Sequence, residues 1–213
     1  VVRGEKPVNL SHTLLFCMQH GMQLKFISRS DYKKMASAEF QHTLEEEFGK
    51  HIFVPEGGFS PQGVKGAKNI TVFFNEENYT HICCAVGTAT TVAGLLQGSG
   101  KTSEIIGFSV LKNMTDINQR LQQLKVDNAK NFIFNGNYDF GGYAKKTNEL
   151  IAFMNTFYND NKIPLDFVYT GKMMFGIYHL IKKDYFSPGS NILCIHTGGL
   201  QGNKSLPHGI LNF

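Results

Sequence analysis

Four short apolar runs constrain this chain more than any other feature: HICCAV (81–86), EIIGFSV (104–110), NFIFNG (131–136) and NILCI (191–195). None alternates apolar with polar residues, as a strand wetted on one face would. Continuous apolar runs of this length suit strands buried on both faces. The stretches between them carry helical spacing. Strands alternating with helices imply an α/β fold, a parallel sheet covered by helices on both faces. Adjacent Cys83 and Cys84 must then point to opposite faces. Ligands in such folds bind at loops beyond the carboxyl ends of strands, where the glycine-rich stretches of this chain fall.

The same alternation begins upstream. Val1 and Val2 read as strand, 9–20 as a helix ending at Gly21, and 23–28 as strand. A helix is expected over 31–48 with Gly49 as its stop, then strand and turn over 51–58, then a helix after Ser60. Later helices are expected over 114–125, capped by Thr115 or Asp116, over 147–160 and over 172–183.

Composition narrows the class. The 213 residues, 42% hydrophobic, can bury one good core or two modest ones. The net charge of +4 is scattered, and no basic stripe supports nucleic-acid binding. Cys17, Cys83, Cys84 and Cys194 form no CxxC pair and no metal spacing, and read as free thiols in a reducing compartment. No apolar run is long enough for a membrane span, and no secretory leader opens the sequence. The sequence starts at Val1 as though inside a strand, so it is expected to be a piece of a longer protein.

Several loops carry candidate chemistry. In AVGTATTVAGL (85–95) a strand ends, Gly87 opens a tight loop, and a helix begins. Thr88, Thr90 and Thr91 offer hydroxyls, and the backbone from Gly87 through Ala89 offers N–H donors. That is a phosphate cradle, or else a plain strand-to-helix turn. GSGKT (98–102) imitates a nucleotide loop, but the glycine five places before Gly100 is missing and a helix precedes it. It reads as helix termination. VPEGGFSPQGVKGA (54–67) leaves a strand through Gly57 and Gly58, which permits a ligand's approach or mere flexibility. DFVYTGKMMFGI (166–177) presents Tyr169, Thr170 and Lys172 at a helix start, where a lysine is expected to be a solvated charge. NYDFGGYAKK (137–146) presents Tyr138 and Tyr143. CIHTGGLQGN (194–203) leaves a core strand through Thr197, Gly198 and Gly199, as a turn or as a seat for something flat.

Together, VPEGGFSPQGVKGA, AVGTATTVAGLLQG, FGGYAKK, PLDFVYTGKMMFGI and IHTGGLQGN, in that order, resemble the 1-aminocyclopropane-1-carboxylate deaminase / D-cysteine desulfhydrase family. The resemblance implies pyridoxal-phosphate enzymes of the tryptophan-synthase-β-like fold (fold type II), acting on small amino acids. It places the cofactor phosphate in the loop from Gly87 to Thr91 and the HTGG loop beside the pyridine ring. Thr197 then lies near the ring nitrogen, and Gly198 and Gly199 let backbone approach the ring. Tyr143 and Tyr169 become catalytic pocket residues. Residues 1–58 become part of a smaller lobe and 59–213 the larger, cofactor-binding lobe. A cytoplasmic homodimer is also implied.

The family's deaminases carry a glutamate where this chain has Thr170, and an aliphatic residue where it has Thr197. A carboxylate near the ring nitrogen favours a protonated ring, the stronger electron sink; a hydroxyl does so less. Opening a cyclopropane needs more of that help than expelling a β-thiol. The pair Thr170 and Thr197, both placed in the cofactor site, therefore resembles the D-cysteine desulfhydrase side. The family's Schiff-base lysine lies in an N-terminal segment before the position matching Val1. No lysine here matches it, so the chain alone is expected to be inactive.

Overall fold

The computed structural model describes residues 1–100, 102–127 and 131–213. The chain forms two compact units, Val1–Pro55 and Glu56–Phe213. In the first, strands β1 (Val2–Arg3) and β2 (Phe26–Ile27) pair in parallel. Between and after them come helices α1 (His12–Gln19), α2 (Arg29–Tyr32) and α3 (Ala38–Phe48).

Two upstream expectations need correction. The single helix over 31–48 is broken. Ser28 accepts a hydrogen bond from the Asp31 N–H and starts α2, whereas Ser37 accepts one from Phe40 N–H and starts α3. A second capping serine restarts the helix rather than continuing it. The strand expected from His51 does not form, and Ile52 and Val54 stay 91% and 73% exposed. Among the described residues no strand pairs with it, and an isolated extended run gains no ladder hydrogen bonds.

The second unit contains α4 (Pro61–Lys68), β3 (His81–Val86), α5 (Thr90–Gly98), β4 (Glu104–Ser109) and α6 (Ile117–Gln123). It continues with β5 (Phe132–Asn135), α7 (Asn148–Asn161), α8 (Thr170–Lys182) and β6 (Ile192–Cys194). Among the described residues its four strands are all parallel, in the order β5-β4-β3-β6. Ser60 caps α4 through the Gly63 N–H and Pro61 occupies its first turn, a start signal written in the sequence. Asp116 does precede α6, but its side chain accepts no backbone N–H of the first turn; its Oδ2 takes the Arg120 Nε–H at 2.9 Å.

Both faces of the sheet are covered. Ile82, Cys84, Val86 and Ile105 pack with Val64 of α4, Val92 of α5 and Leu121 of α6. Cys83, Ile106 and Phe108 face the other way, onto Met173 and Ile177 of α8. Burial pushes the Cys84 thiol up to about 12 and the Cys83 thiol up as well, which keeps both protonated and unreactive.

Gly98 ends α5, as the reading of GSGKT as a helix terminator required; Lys101 lies outside the described residues. The N–H groups of Gly100, Thr102 and Ser103 converge on the carboxylate of Glu76, those of Thr102 and Ser103 at 3.1 and 3.0 Å. The nucleotide-like loop thus grips a side chain of its own protein. Burial raises the Glu76 pKa, but these donors outweigh it and the net shift is downward. A carboxyl lowered on folding stabilises above its unfolded pKa and loses that contribution as pH falls through the folded value. Thermal melts of the wild type should therefore drop faster below about pH 4.5 than those of Glu76→Gln. Parallel curves would rule out this linkage.

Candidate functional site

Because β3, β4, β5 and β6 are parallel, the loops that follow them open at one edge of the sheet. Gly87 follows β3, and Ala89 precedes α5 in a left-handed conformation, φ 78°. The alanine side chain has no oxygen to offer, and no side chain caps this helix. The first N–H groups of a helix lack internal acceptors, and its dipole attracts anions. The hydroxyls of Thr88 and Thr90 lie 3.1 Å apart beside this end. Thr88 Oγ1 also donates to the Gly57 carbonyl at 3.3 Å. A Cβ on Gly57 would come within 2.5 Å of the Thr88 side chain, so the EGG backbone is pressed onto the cradle. Thr91 is half-buried in the first turn of α5.

The HTGG loop follows β6. Gly198 N–H donates to His196 Nδ1 at 3.1 Å, and His196 Nε2 meets the Pro164 carbonyl at 2.9 Å. The pattern fits the tautomer with its proton on Nε2. The two glycines then differ in a way the sequence does not reveal. Both have positive φ, 87° and 89°. A Cβ at Gly198 would meet nothing within 4 Å, so that face is open. A Cβ at Gly199 would lie 3.0 Å from the Asp166 carboxyl carbon. Gly199 therefore admits a neighbouring side chain, and only Gly198 leaves room for a ligand. Thr197 beside it is exposed.

Asp166 is the residue that sequence reasoning missed. It is fully buried, and its Oδ1 accepts the N–H groups of Val168 and Tyr169 at 2.9 and 2.8 Å. Its Oδ2 accepts from Thr170 N–H and Thr170 Oγ1–H at 2.8 and 2.7 Å. It caps the start of α8 from one turn upstream, and an aspartate just ahead of a helical run was the available signal. Thr170 is buried with its hydroxyl turned onto Asp166, so it shapes the helix start in this structure. Asn203, from the same glycine-rich segment, bridges Phe167 N–H (3.1 Å) and Leu165 C=O (2.9 Å), tying HTGGLQGN to the α8 entrance.

Tyr169 joins the two turns. Its ring would lie 3.3 Å from a Cβ on Gly87, its N–H is held by Asp166, and Asp166 touches Gly199. The cradle and the glycine shelf therefore edge the same end of the sheet. The rings of Tyr169 and Tyr143 sit 6.0 Å apart at 74°, with hydroxyls separated by 3.5 Å. Burial, followed by the contact with Tyr143, pushes the Tyr169 phenol well above its ordinary value. Tyr143 is 57% exposed and faces outward.

Lys172 corrects an expectation. It is not solvated: its exposure is 0%, and its ammonium donates to the carbonyls of Asp139 and Gly142 at 2.7 and 2.6 Å. Burial lowers its pKa to about 8, against the upward pull of Asp139 and Asp166. Among the described residues no cluster of three or more His, Cys, Asp or Glu could hold a metal. No described helix is long and apolar enough to cross a membrane.

The architecture matches a crystal structure described as an ACC deaminase homologue, with a TM-score of 0.77 and 27% identity over 95% of this chain and 66% of that one. The fold is the tryptophan-synthase-β-like fold of pyridoxal-phosphate fold type II. A "Putative 1-aminocyclopropane-1-carboxylate deaminase" from Pyrococcus furiosus is 31% identical over 232 aligned positions, spanning 100% of this chain and 69% of the relative. The chain belongs to the 1-aminocyclopropane-1-carboxylate deaminase / D-cysteine desulfhydrase family, whose cofactor is pyridoxal 5'-phosphate. A "Bifunctional D-cysteine desulfhydrase/1-aminocyclopropane-1-carboxylate deaminase, mitochondrial" from Arabidopsis thaliana is 28% identical, over 85% of this chain and 51% of its own length. The chain thus spans between half and about two thirds of these relatives. No protein-family model matches it.

Proposed function

We propose that this chain supplies the phosphate- and ring-binding part of a pyridoxal-phosphate enzyme that eliminates and deaminates a small amino acid, with D-cysteine as substrate. The uncapped start of α5 carries this reading. It offers free first-turn donors and two hydroxyls, which suits a phosphate dianion. Gly87, Thr88, Ala89, Thr90 and Thr91 would hold that phosphate. The open face at Gly198, with Thr197 beside it, would take the ring. The unit Glu56–Phe213 is the larger, cofactor-binding lobe in this reading, and Val1–Pro55 part of the smaller one.

Bound cofactor supplies an electron sink that acidifies the substrate's α-carbon. The chain's own residues do the rest. Tyr169 keeps its proton at neutral pH and directs it toward Tyr143, leaving Tyr143's own hydroxyl hydrogen free to point at the substrate. Thr197, exposed beside Gly198, would offer the ring nitrogen a hydroxyl. The nearby carboxylate, Asp166, already accepts four hydrogen bonds and is turned inward. An Asp166 spent in this way leaves its charge directed at the start of α8, which suits loss of a β-thiol, giving pyruvate, ammonia and hydrogen sulfide from D-cysteine and water. The names of the relatives favour a second reading, opening of 1-aminocyclopropane-1-carboxylate.

Full-length protein containing this chain, given pyridoxal phosphate and D-cysteine, should release pyruvate and sulfide in equal amounts. Turnover of the cyclopropane substrate alone would decide for the second reading. In either case, Tyr143→Phe should lower turnover by roughly 100-fold if its hydroxyl moves a proton in the reaction. An unchanged rate would remove Tyr143 from the catalytic group. Failure of inorganic phosphate to perturb the Thr88–Thr91 amide signals in NMR would count against the cradle itself.

A further inference from the structure

Tyr143 stands in the site on a short, exposed turn, and something must hold that turn. Phe140, Gly141 and Gly142 all have positive φ, 51°, 92° and 112°. Glycine takes positive φ at little steric cost, but Phe140 does not, so the turn needs support at its start. Part of the support is local: the Asp139 carboxylate accepts the Gly141 N–H at 2.7 Å, and the Asp139 carbonyl accepts the Gly142 N–H at 3.0 Å. The rest comes from about thirty residues away in sequence. The carbonyls of Asp139 and Gly142 both point at the ammonium of Lys172. Lys172 lies in the first turn of α8, three residues after Tyr169, which immediately precedes the helix.

We propose that Lys172 is a positioning residue, which sets Tyr143 opposite Tyr169 by clasping the turn at Asp139 and Gly142 from the helix that begins directly after Tyr169. The proposal rests on the reading of these tyrosines as pocket residues only for its functional meaning. The clasp can be measured without cofactor. An ammonium inside the protein is costly unless its donors are used. Two of its three donors are spent on the turn, and Tyr143 is the next residue after the second carbonyl. Truncating Lys172 would take one of two partners from each carbonyl, leaving Asp139 C=O with the Gly142 N–H alone and Gly142 C=O with the Lys145 N–H alone, and would remove the hydrogen-bonded tie from the turn to α8.

Ring-labelled tyrosine in the full chain gives the test, with Tyr143→Phe and Tyr169→Phe assigning the two signals. The wild type should show a through-space cross-peak between the rings. Lys172→Ala should lose it while far-UV circular dichroism and the phosphate-induced shifts at Thr88–Thr91 persist, and added ethylammonium should restore it. A cross-peak that survives in folded Lys172→Ala, or one that ethylammonium leaves lost, overturns the proposal. Should Lys172→Ala and the isosteric Lys172→Met both fail to fold, Gly141→Val strains the exposed turn and leaves the helix intact. The Tyr143–Tyr169 cross-peak and the Lys172 Nζ resonance must then change together, and any other result overturns the proposal. If the protein binds neither phosphate nor pyridoxal phosphate, the functional reading fails while this measurement still decides the clasp.

Discussion

Asp166→Ala should lower the melting temperature of the chain by about 10 °C, the largest loss expected from any single side chain near the site. The carboxylate is fully buried and takes four donors: the N–H groups of Val168, Tyr169 and Thr170 and the Thr170 hydroxyl. Each buried donor left without a partner costs about 1–3 kcal/mol, partly offset where water can enter. A net loss of about 4 kcal/mol corresponds to about 10 °C for a chain of this size. Asp166→Asn keeps one acceptor oxygen and should lose about half as much. The loss should not be confined to stability. Gly199 rests against this carboxylate and Tyr169 hangs from it, so the glycine shelf and the tyrosine pair should loosen together. Differential scanning calorimetry of the two variants checks the ranking. Equal melting temperatures for wild type and Asp166→Ala would mean that Asp166 does not organise the start of α8.

Gly63→Ala and Gly66→Ala should have opposite signs, although both lie in α4. A Cβ at Gly63 would fall 1.9 Å from the Gly58 carbonyl oxygen and 3.1 Å from the Thr90 methyl. Backbone must move, and overpacking of this kind costs up to about 3 kcal/mol. The backbone that moves is the EGG turn pressed onto Thr88, so phosphate affinity should fall about tenfold if cradle geometry costs about 1.4 kcal/mol. A Cβ at Gly66 would meet nothing within 4 Å. There alanine simply replaces a poor helix former, worth about 0.5–1 kcal/mol in favour of the fold. Denaturant titrations with a phosphate-binding isotherm on each variant separate the two. Similar effects at both positions would show that helix propensity, not the EGG contact, governs α4.

What could be read from the sequence is what local pattern determines. The run HICCAV announced a strand buried on both faces, and Cys83 and Cys84 do enter different cores. Ser60 and Pro61 announced α4. Missed elements depended on choices between local rules or on distant partners. Ser37 could continue a helix or restart one, and the restart won. Ile52 and Val54 looked like strand, but a strand needs a neighbour as well as apolar residues. Lys172 looked like a surface charge because most lysines at helix starts are. Its two carbonyls come from a turn some thirty residues earlier, and no spacing rule connects them. The same holds for the unequal glycines of HTGG. Position 198 faces open space and position 199 faces Asp166, and the letters GG do not distinguish them.

The Glu76 carboxylate gripped by the GSGKT loop bears on any anion titration of this protein. A tethered occupant competes at an effective concentration on the order of millimolar, without ever diffusing away. Free phosphate arriving there would have to evict a resident that is covalently part of the chain. Binding isotherms should therefore saturate at one equivalent, on the threonine-lined turn before α5, and the second, nucleotide-like turn should remain silent.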